Sequence, residues 1–123
     1  VVLALMGGGP AGEPNEYHGI QMRSKLESDF ARHLDRLGVK WTYEPRVFDG
    51  YLPDFQLALG DRPCFAEVKP TLLQAEAAKE RMTPIWKTHP DAFLLVVCAE
   101  KSTFFGANRG EGWTSWTDRW AHS

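Results

Sequence analysis

Tyr51-Leu-Pro-Asp54-Phe55 and, beyond Gly60-Asp61-Arg62-Pro63, Phe65-Ala-Glu67-Val-Lys69-Pro70 form the stretch whose reading decides the fold. Residues 51–59 and 64–69 read as two strands, and the Gly60-Asp61 pair is hairpin chemistry. With a two-residue loop, Leu59 faces Arg62 and Asp54 faces Glu67; with a four-residue loop, Leu59 faces Cys64 and Asp54 faces Lys69. Both registers keep Asp54, Glu67 and Lys69 on one face, because strand side chains repeat every two residues. The other face of the second strand carries Ala66 and Val68, which suit a core. An acidic pair with a lysine two residues after the second acid is a metal-site pattern with a cation beside it. Pro53 suggests a sheet edge or a bulge.

Upstream, Leu26, Phe30, Leu34 and Leu37 recur at helical spacing, which predicts a helix over residues 24–37 ended by Gly38. Glu27 falls at the edge of this apolar stripe. Ser24-Lys-Leu-Glu27 fits a capping box, with Glu27 reaching back to a free backbone N–H; alternatively Glu27 points across the core edge toward the hairpin acids. Val39-Lys-Trp-Thr-Tyr43 alternates as a strand with Val39, Trp41 and Tyr43 inward, ended by Pro45, and Asp49-Gly50 marks a turn. Residues 1–19 hold Gly7-Gly-Gly-Pro-Ala-Gly12 and Glu13-Pro14, which predicts a flexible arm ahead of a single domain over 20–123. The triple glycine lacks the lysine and hydroxyl residue of a phosphate-binding loop.

Downstream, Thr71-Leu-Leu-Gln74 is a second capping-box pattern. It opens a helix through Ala75, Ala78 and Met82, kinked or restarted at Pro84. Ala92-Phe-Leu-Leu-Val-Val-Cys98 is a continuous apolar run suited to a strand buried on both sides, completing a right-handed βαβ unit. Trp113, Trp116 and Trp120 lie at i, i+3 and i+7, which predicts a C-terminal helix with a tryptophan stripe, packed on the core or a partner subunit or offered to stacked bases.

The totals add bounds. With 123 residues, 24% charged and 43% hydrophobic, one globular domain is expected. The net charge of −2 gives no sign of nucleic-acid binding by itself, although a local basic face can hide inside a neutral total. Cys64 and Cys98 lie in apolar strand-like runs and read as buried reduced thiols, with no Cys/His cluster for zinc. The apolar opening Val1–Met6 is too short to span a bilayer, so a soluble, cytoplasmic protein is expected, with no membrane partner.

Arg23-Ser-Lys-Leu-Glu27, Leu34, Gly38-Val-Lys-Trp-Thr-Tyr-Glu44, Tyr51-Leu-Pro-Asp54-Phe55 and Glu67-Val-Lys69 together resemble the PD-(D/E)xK nuclease superfamily. Within it, the chain looks similar to the phage endonuclease I group, which resolves Holliday junctions and other branched DNA, and its spacing resembles TnsA-like transposition endonucleases. The likeness covers about residues 22–70 and runs more loosely through Lys101-Ser-Thr-Phe104 and Trp113/Trp116. It departs in a short Glu44–Tyr51 segment, the region that in the phage resolvases helps form an intertwined dimer, and in lacking a strongly basic tail.

The resemblance implies an α/β fold with a restriction-endonuclease-like αβββαβ core, a mixed central sheet flanked by helices. It implies divalent-metal phosphodiester hydrolysis with catalytic positions at Glu27, Asp54, Glu67 and Lys69, and so favours the site reading for Glu27. Two like charges about 4 Å apart repel by roughly 4 kcal/mol at an effective dielectric near 20, a cost that a bound cation reverses. Oxygen ligands favour Mg²⁺ or Mn²⁺, with Asp54 and Glu67 as principal ligands, the Val68 carbonyl as another, and Glu27 acting through water or on a second metal. A charged Lys69 would orient the attacking water and stabilise the pentavalent phosphate. Phosphate contacts are expected from a subset of Arg23, Lys25, Arg46, Lys79, Arg81 and Lys87, with Gln74 and Lys79 at the site's edge. The expected partner is DNA, branched in the leading reading, with a homodimer to make two cuts. The alternatives are a nuclease subunit of a transposition, restriction or phage DNA-processing assembly, and a catalytically inactive DNA-binding relative.

Overall fold

Ser24 takes an extended backbone and its hydroxyl accepts from Glu27 N–H, while Glu27 returns a carboxylate oxygen to Ser24 N–H, so both halves of the capping box start α1 (Lys25–Leu37). Gly38 ends it at φ 74°, a left-handed conformation that glycine adopts without strain. Gly38 N–H bonds back to Asp35 O and Val39 N–H to Leu34 O, which is a Schellman closure. The fold comes from a computed structural model, and the described residues are 15–121. Most of the expected arm, residues 1–14, lies outside them. The expected arm–domain boundary falls within a small hairpin, β1 (Glu16–Tyr17) with β2 (Ile20–Gln21).

A six-stranded mixed sheet carries the rest, in the order β3 (Trp41–Tyr43), β4 (Phe55–Leu59), β5 (Arg62–Lys69), β6 (Phe93–Cys98), β7 (Thr103–Asn108) and β8 (Thr114–Thr117). Neighbours are antiparallel except β5 and β6, which are parallel and joined through α2 (Leu72–Met82) and the short α3 (Ile85–Thr88). The elements from α1 to β6 thus run helix, three strands, two helices, strand. One sheet face packs Phe55, Leu57, Ala66, Val68 and Val97 against Phe30, Ala31 and Leu34 of α1. The other packs Phe65, Leu94, Val96 and Phe105 against Ala75, Ala78, Met82 and Ile85 of α2 and α3. β6 is buried on both faces, as its unbroken apolar run requires. Both cysteines are free and buried, and burial pushes the Cys64 thiol up to about 12. Among the described residues no helix is long and apolar enough to cross a membrane.

Four local expectations change. The strand expected over 51–59 begins only at Phe55, and the one over 39–43 only at Trp41, because Val39 closes α1. At α2, Thr71 caps Gln74 N–H, but Gln74 Oε1 accepts from the Thr71 hydroxyl instead of completing the box. The C-terminal helix is the largest correction: residues 103–117 form the β7–β8 hairpin. Gly110 at φ 82° turns it, and the Thr-rich flanks of Trp116 suit an extended chain better than a helix. The helical spacing of the tryptophans is accidental. Trp116 stacks on Phe104 on the α1 side, and Trp113 lies by the α2 cluster. Trp120 is buried beyond the strand, edge-on to Phe30, with its indole N–H donating to Cys98 O.

Gly106 in β7 is glycine for a packing reason. A Cβ there would run into the Phe93 ring and stand 3.0 Å from the Trp116 ring. The Phe93 ring is half-buried on the sheet and must shift to admit a methyl group, while Trp116 is more exposed. Gly106→Ala is therefore expected to destabilise the protein by about 1–3 kcal/mol, read as a lower urea midpoint with an unchanged slope.

Candidate active site

The β4–β5 turn sets the site. Gly60 has φ 70° and Leu59 pairs with Arg62, so the loop holds two residues, the shorter of the two expected registers. Continued one step past Phe55–Ala66, this register sets Asp54 opposite Glu67. Pro53 helps end β4 here. Val68 N–H, just past the last ladder rung, donates to Asp54 Oδ2 at 2.8 Å. In a strand the N–H and C=O of one residue point to the same side, so the Val68 carbonyl faces this gap, opposite a proline with no N–H to give. That orientation suits the role expected of it.

Three carboxylates enter from three elements, and all are buried: Asp54 at 2% exposure, with Glu67 and Glu27 at 5% each. Glu27 resolves its two readings by serving both. Its Oε1 accepts from Ser24 N–H, from Arg23 N–H at 2.8 Å and from the Tyr43 hydroxyl at 2.7 Å, and its carboxylate is near enough to Asp54 to act on that group's charge. Glu67 Oε1 accepts a short hydrogen bond from the Tyr51 hydroxyl, and its Oε2 pairs with Lys69 Nζ at 3.0 Å. Arg23 lies over the opening, with Nε 2.8 Å from Glu44 Oε2 and Nη2 3.4 Å from Asp54 Oδ1.

The electrostatics are those of crowded acids. Burial, then the charges of Glu67 and Glu27, push the Asp54 carboxyl up to about 8, against a smaller opposing pull from Val68 N–H. Burial and Glu67 together push the Tyr51 phenol far up, and burial with the Glu27 hydrogen bond does the same to Tyr43. Both tyrosines therefore act as hydrogen-bond donors to carboxylates. Neither tyrosine stood out in the sequence as a site residue. Tyr43 read as an inward strand residue, and its ring does pack on Phe55 while the hydroxyl reaches Glu27. The available signal was positional: Tyr51 precedes Asp54 by three residues in the same short segment.

Among the described residues no group of three His, Cys, Asp or Glu side chains is arranged to hold a metal ion as it stands. The donor chemistry nonetheless fits a hard divalent cation. Asp54 and Glu67 are adjacent buried oxygen donors whose mutual repulsion a cation relieves, and the Val68 carbonyl faces the same gap. Arg23 and Lys69 hold the cationic positions beside them.

The other basic candidates are spread out. Lys25 pairs with Asp29 on α1 at 3.0 Å. Lys79 pairs with Glu76 and lies 4.2 Å from the Phe105 ring centroid. Gln74 is turned toward Thr71. Lys87 reaches Asp49, Arg46 lies over Phe48, and Arg81 is near enough to Tyr51 for its charge to act on the phenol.

Because the folded pKa of Asp54 is raised, the folded state holds a proton that the unfolded chain has lost. The stability from this group is full below the unfolded value near 4 and drains away as pH rises through about 8. Metal-free protein is thus expected to lose stability between pH 5 and 8 by up to about 1.4 kcal/mol per pH unit. Asp54→Asn should flatten that slope and melt higher than wild type at pH 8; a slope unchanged by Asp54→Asn in thermal melts would show that the buried charge lies elsewhere. No protein-family model matches the chain, and no curated protein matches it.

Proposed function

We propose that the protein is a metal-dependent DNA endonuclease with a restriction-endonuclease-like core, selective for branched DNA. The observation that carries this reading is the burial of Asp54 opposite Glu67 at the open end of a hairpin, with Lys69 on the second acid. A fold keeps facing carboxylates in its interior, at a cost to its own stability, when something positive is to be bound between them. The run of helix, three strands, a long and a short helix, and parallel strand supports the same reading.

Asp54, Glu67 and the Val68 carbonyl would hold a Mg²⁺ or Mn²⁺ ion, which would supply positive charge near the phosphate oxygens and a more acidic water. The residues of the chain prepare the place. Tyr51 donates to Glu67 Oε1 and Lys69 holds Oε2, so the carboxylate has one orientation. Lys69, on the strand edge beside Glu67, presents its ammonium to a phosphate oxygen or to the attacking water and stabilises the charge that grows at phosphorus. Glu27 is fixed by the α1 cap and Tyr43, and it accepts a proton or a water-mediated contact next to Asp54. Arg23 closes the opening and can move from Asp54 to a phosphate, since its side chain is 62% exposed. Two cuts at a junction call for two copies of the site, hence a homodimer. The cytoplasm suits a chain whose thiols stay reduced.

The test is cleavage of a four-way junction, a matched duplex and a single strand, with Mg²⁺ and with EDTA. The expected result is Mg²⁺-dependent cutting that prefers the junction. Asp54→Asn and Glu67→Gln should each lower the rate by at least about a hundredfold while junction binding persists. Cutting that survives EDTA rejects the metal mechanism, and equal cutting of all three substrates rejects selectivity for branches.

A further inference from the structure

The segment that delivers Tyr51 to Glu67 also builds a second feature. Asp49 and Gly50 take φ of 52° and 84°, the signature of a type I′ turn. Phe48 and Tyr51 close it with two backbone hydrogen bonds of 2.6 and 2.9 Å. Phe48 anchors the turn in the core, edge-on to Phe65 and His89. The Arg46 guanidinium lies 4.6 Å from the Phe48 ring centroid, and among the described residues no carboxylate pairs with it. A guanidinium stacked on a ring keeps its N–H edge free for two oxygens of one phosphate. Across from the turn, Lys87 of α3 reaches Asp49 at 2.9 Å, but both side chains are more than half exposed, so the pair exchanges readily. Between them lies an open cleft of about 290 Å³. Arg81, likewise without a carboxylate partner among the described residues, is near enough to Tyr51 for its charge to act on the phenol.

A competing basic track runs along α1, where Asp29 takes both Lys25 and Arg32 and offsets one of their two charges. What distinguishes the Phe48–Tyr51 side is Arg46, which has no carboxylate partner among the described residues and is held by a ring with its N–H edge open to an external anion. We propose that the cleft between the Phe48–Tyr51 turn and α3 seats a backbone phosphate of the DNA strand being cut, held by Arg46 and Lys87. The inference rests on the nuclease reading for its ligand, and it adds a direction: the strand leaves the carboxylates on the α2–α3 side of the sheet.

The experiment titrates the full-length chain with fluorescently labelled DNA duplex in EDTA over a range of salt, with wild-type cleavage in Mg²⁺ measured in parallel. Arg46→Gln/Lys87→Gln should make the dependence of log Kd on log salt shallower by about 0.9 for each phosphate no longer neutralised, and weaken binding roughly tenfold at moderate salt. Arg32→Gln/Arg36→Gln removes the same charge from α1 and should leave the slope within about 0.3 of wild type, since no phosphate is seated there. An unchanged slope in the first pair, or an equal reduction in both pairs, overturns the cleft assignment even if wild type cuts DNA. The expected slopes without any Mg²⁺-dependent cutting would leave the cleft standing and overturn the nuclease reading instead. Wild type that binds no DNA overturns both.

Discussion

The structure depends on the burial of like charges. Asp54, Glu67 and Glu27 come from the residue just before β4, from β5 and from α1, and all three are buried. Their repulsion would open the fold if each were not individually held. Glu27 is held by a helix cap, Glu67 by a phenol and an ammonium, and Asp54 by a backbone N–H and a guanidinium. The remaining tension shows as a carboxyl that keeps its proton into the neutral range. A protein selected only for stability would fill this volume with apolar side chains. Stored electrostatic cost of this kind is what a bound cation would relieve.

The surrounding architecture serves that cluster. The two-residue β4–β5 turn fixes a register in which Asp54 meets Glu67, and a one-residue slip would put them on opposite faces. Pro53 ends the β4 ladder and leaves the Val68 peptide facing the gap. The β5–α2–α3–β6 crossover buries β5 from the far side, so Glu67 and Lys69 sit between a helix layer and the open sheet end. The Phe48–Tyr51 turn, pinned by Phe48, carries Tyr51 inward while its outer surface presents Arg46. One short segment therefore stiffens a carboxylate and shapes the neighbouring cleft.

Much of this was legible in the residues because it is local. The capping box at Ser24–Glu27, the stop at Gly38, the hairpin at Gly60-Asp61 and the twice-buried run of β6 all follow from nearest-neighbour chemistry and period. Readings failed where two periods coincided. Trp113, Trp116 and Trp120 match a helix by spacing, but their threonine neighbours and the Gly110 turn carry the strand signal, and long-range pairing with β7 decides. The tyrosine donors were hidden for another reason. A tyrosine in an apolar pattern reads as core, and only the tertiary fold shows where its hydroxyl ends. Likewise, nothing in the identities of the basic residues separates Lys25, tied to Asp29, from Arg46, stacked on a ring and left without an acid among the described residues.

The sequence by itself determined which groups could share a face, because strand and helix periods are properties of the local chain: Asp54, Glu67 and Lys69 together, and Glu27 at a helix start. Only the tertiary structure decided that these groups are buried against one another, that Glu27 serves cap and cluster at once, and that Tyr43 and Tyr51 hold the acids in place. Burial and long-range contact depend on how α1, the sheet and the α2–α3 layer close over the hairpin, and that closure is a property of the whole packed chain.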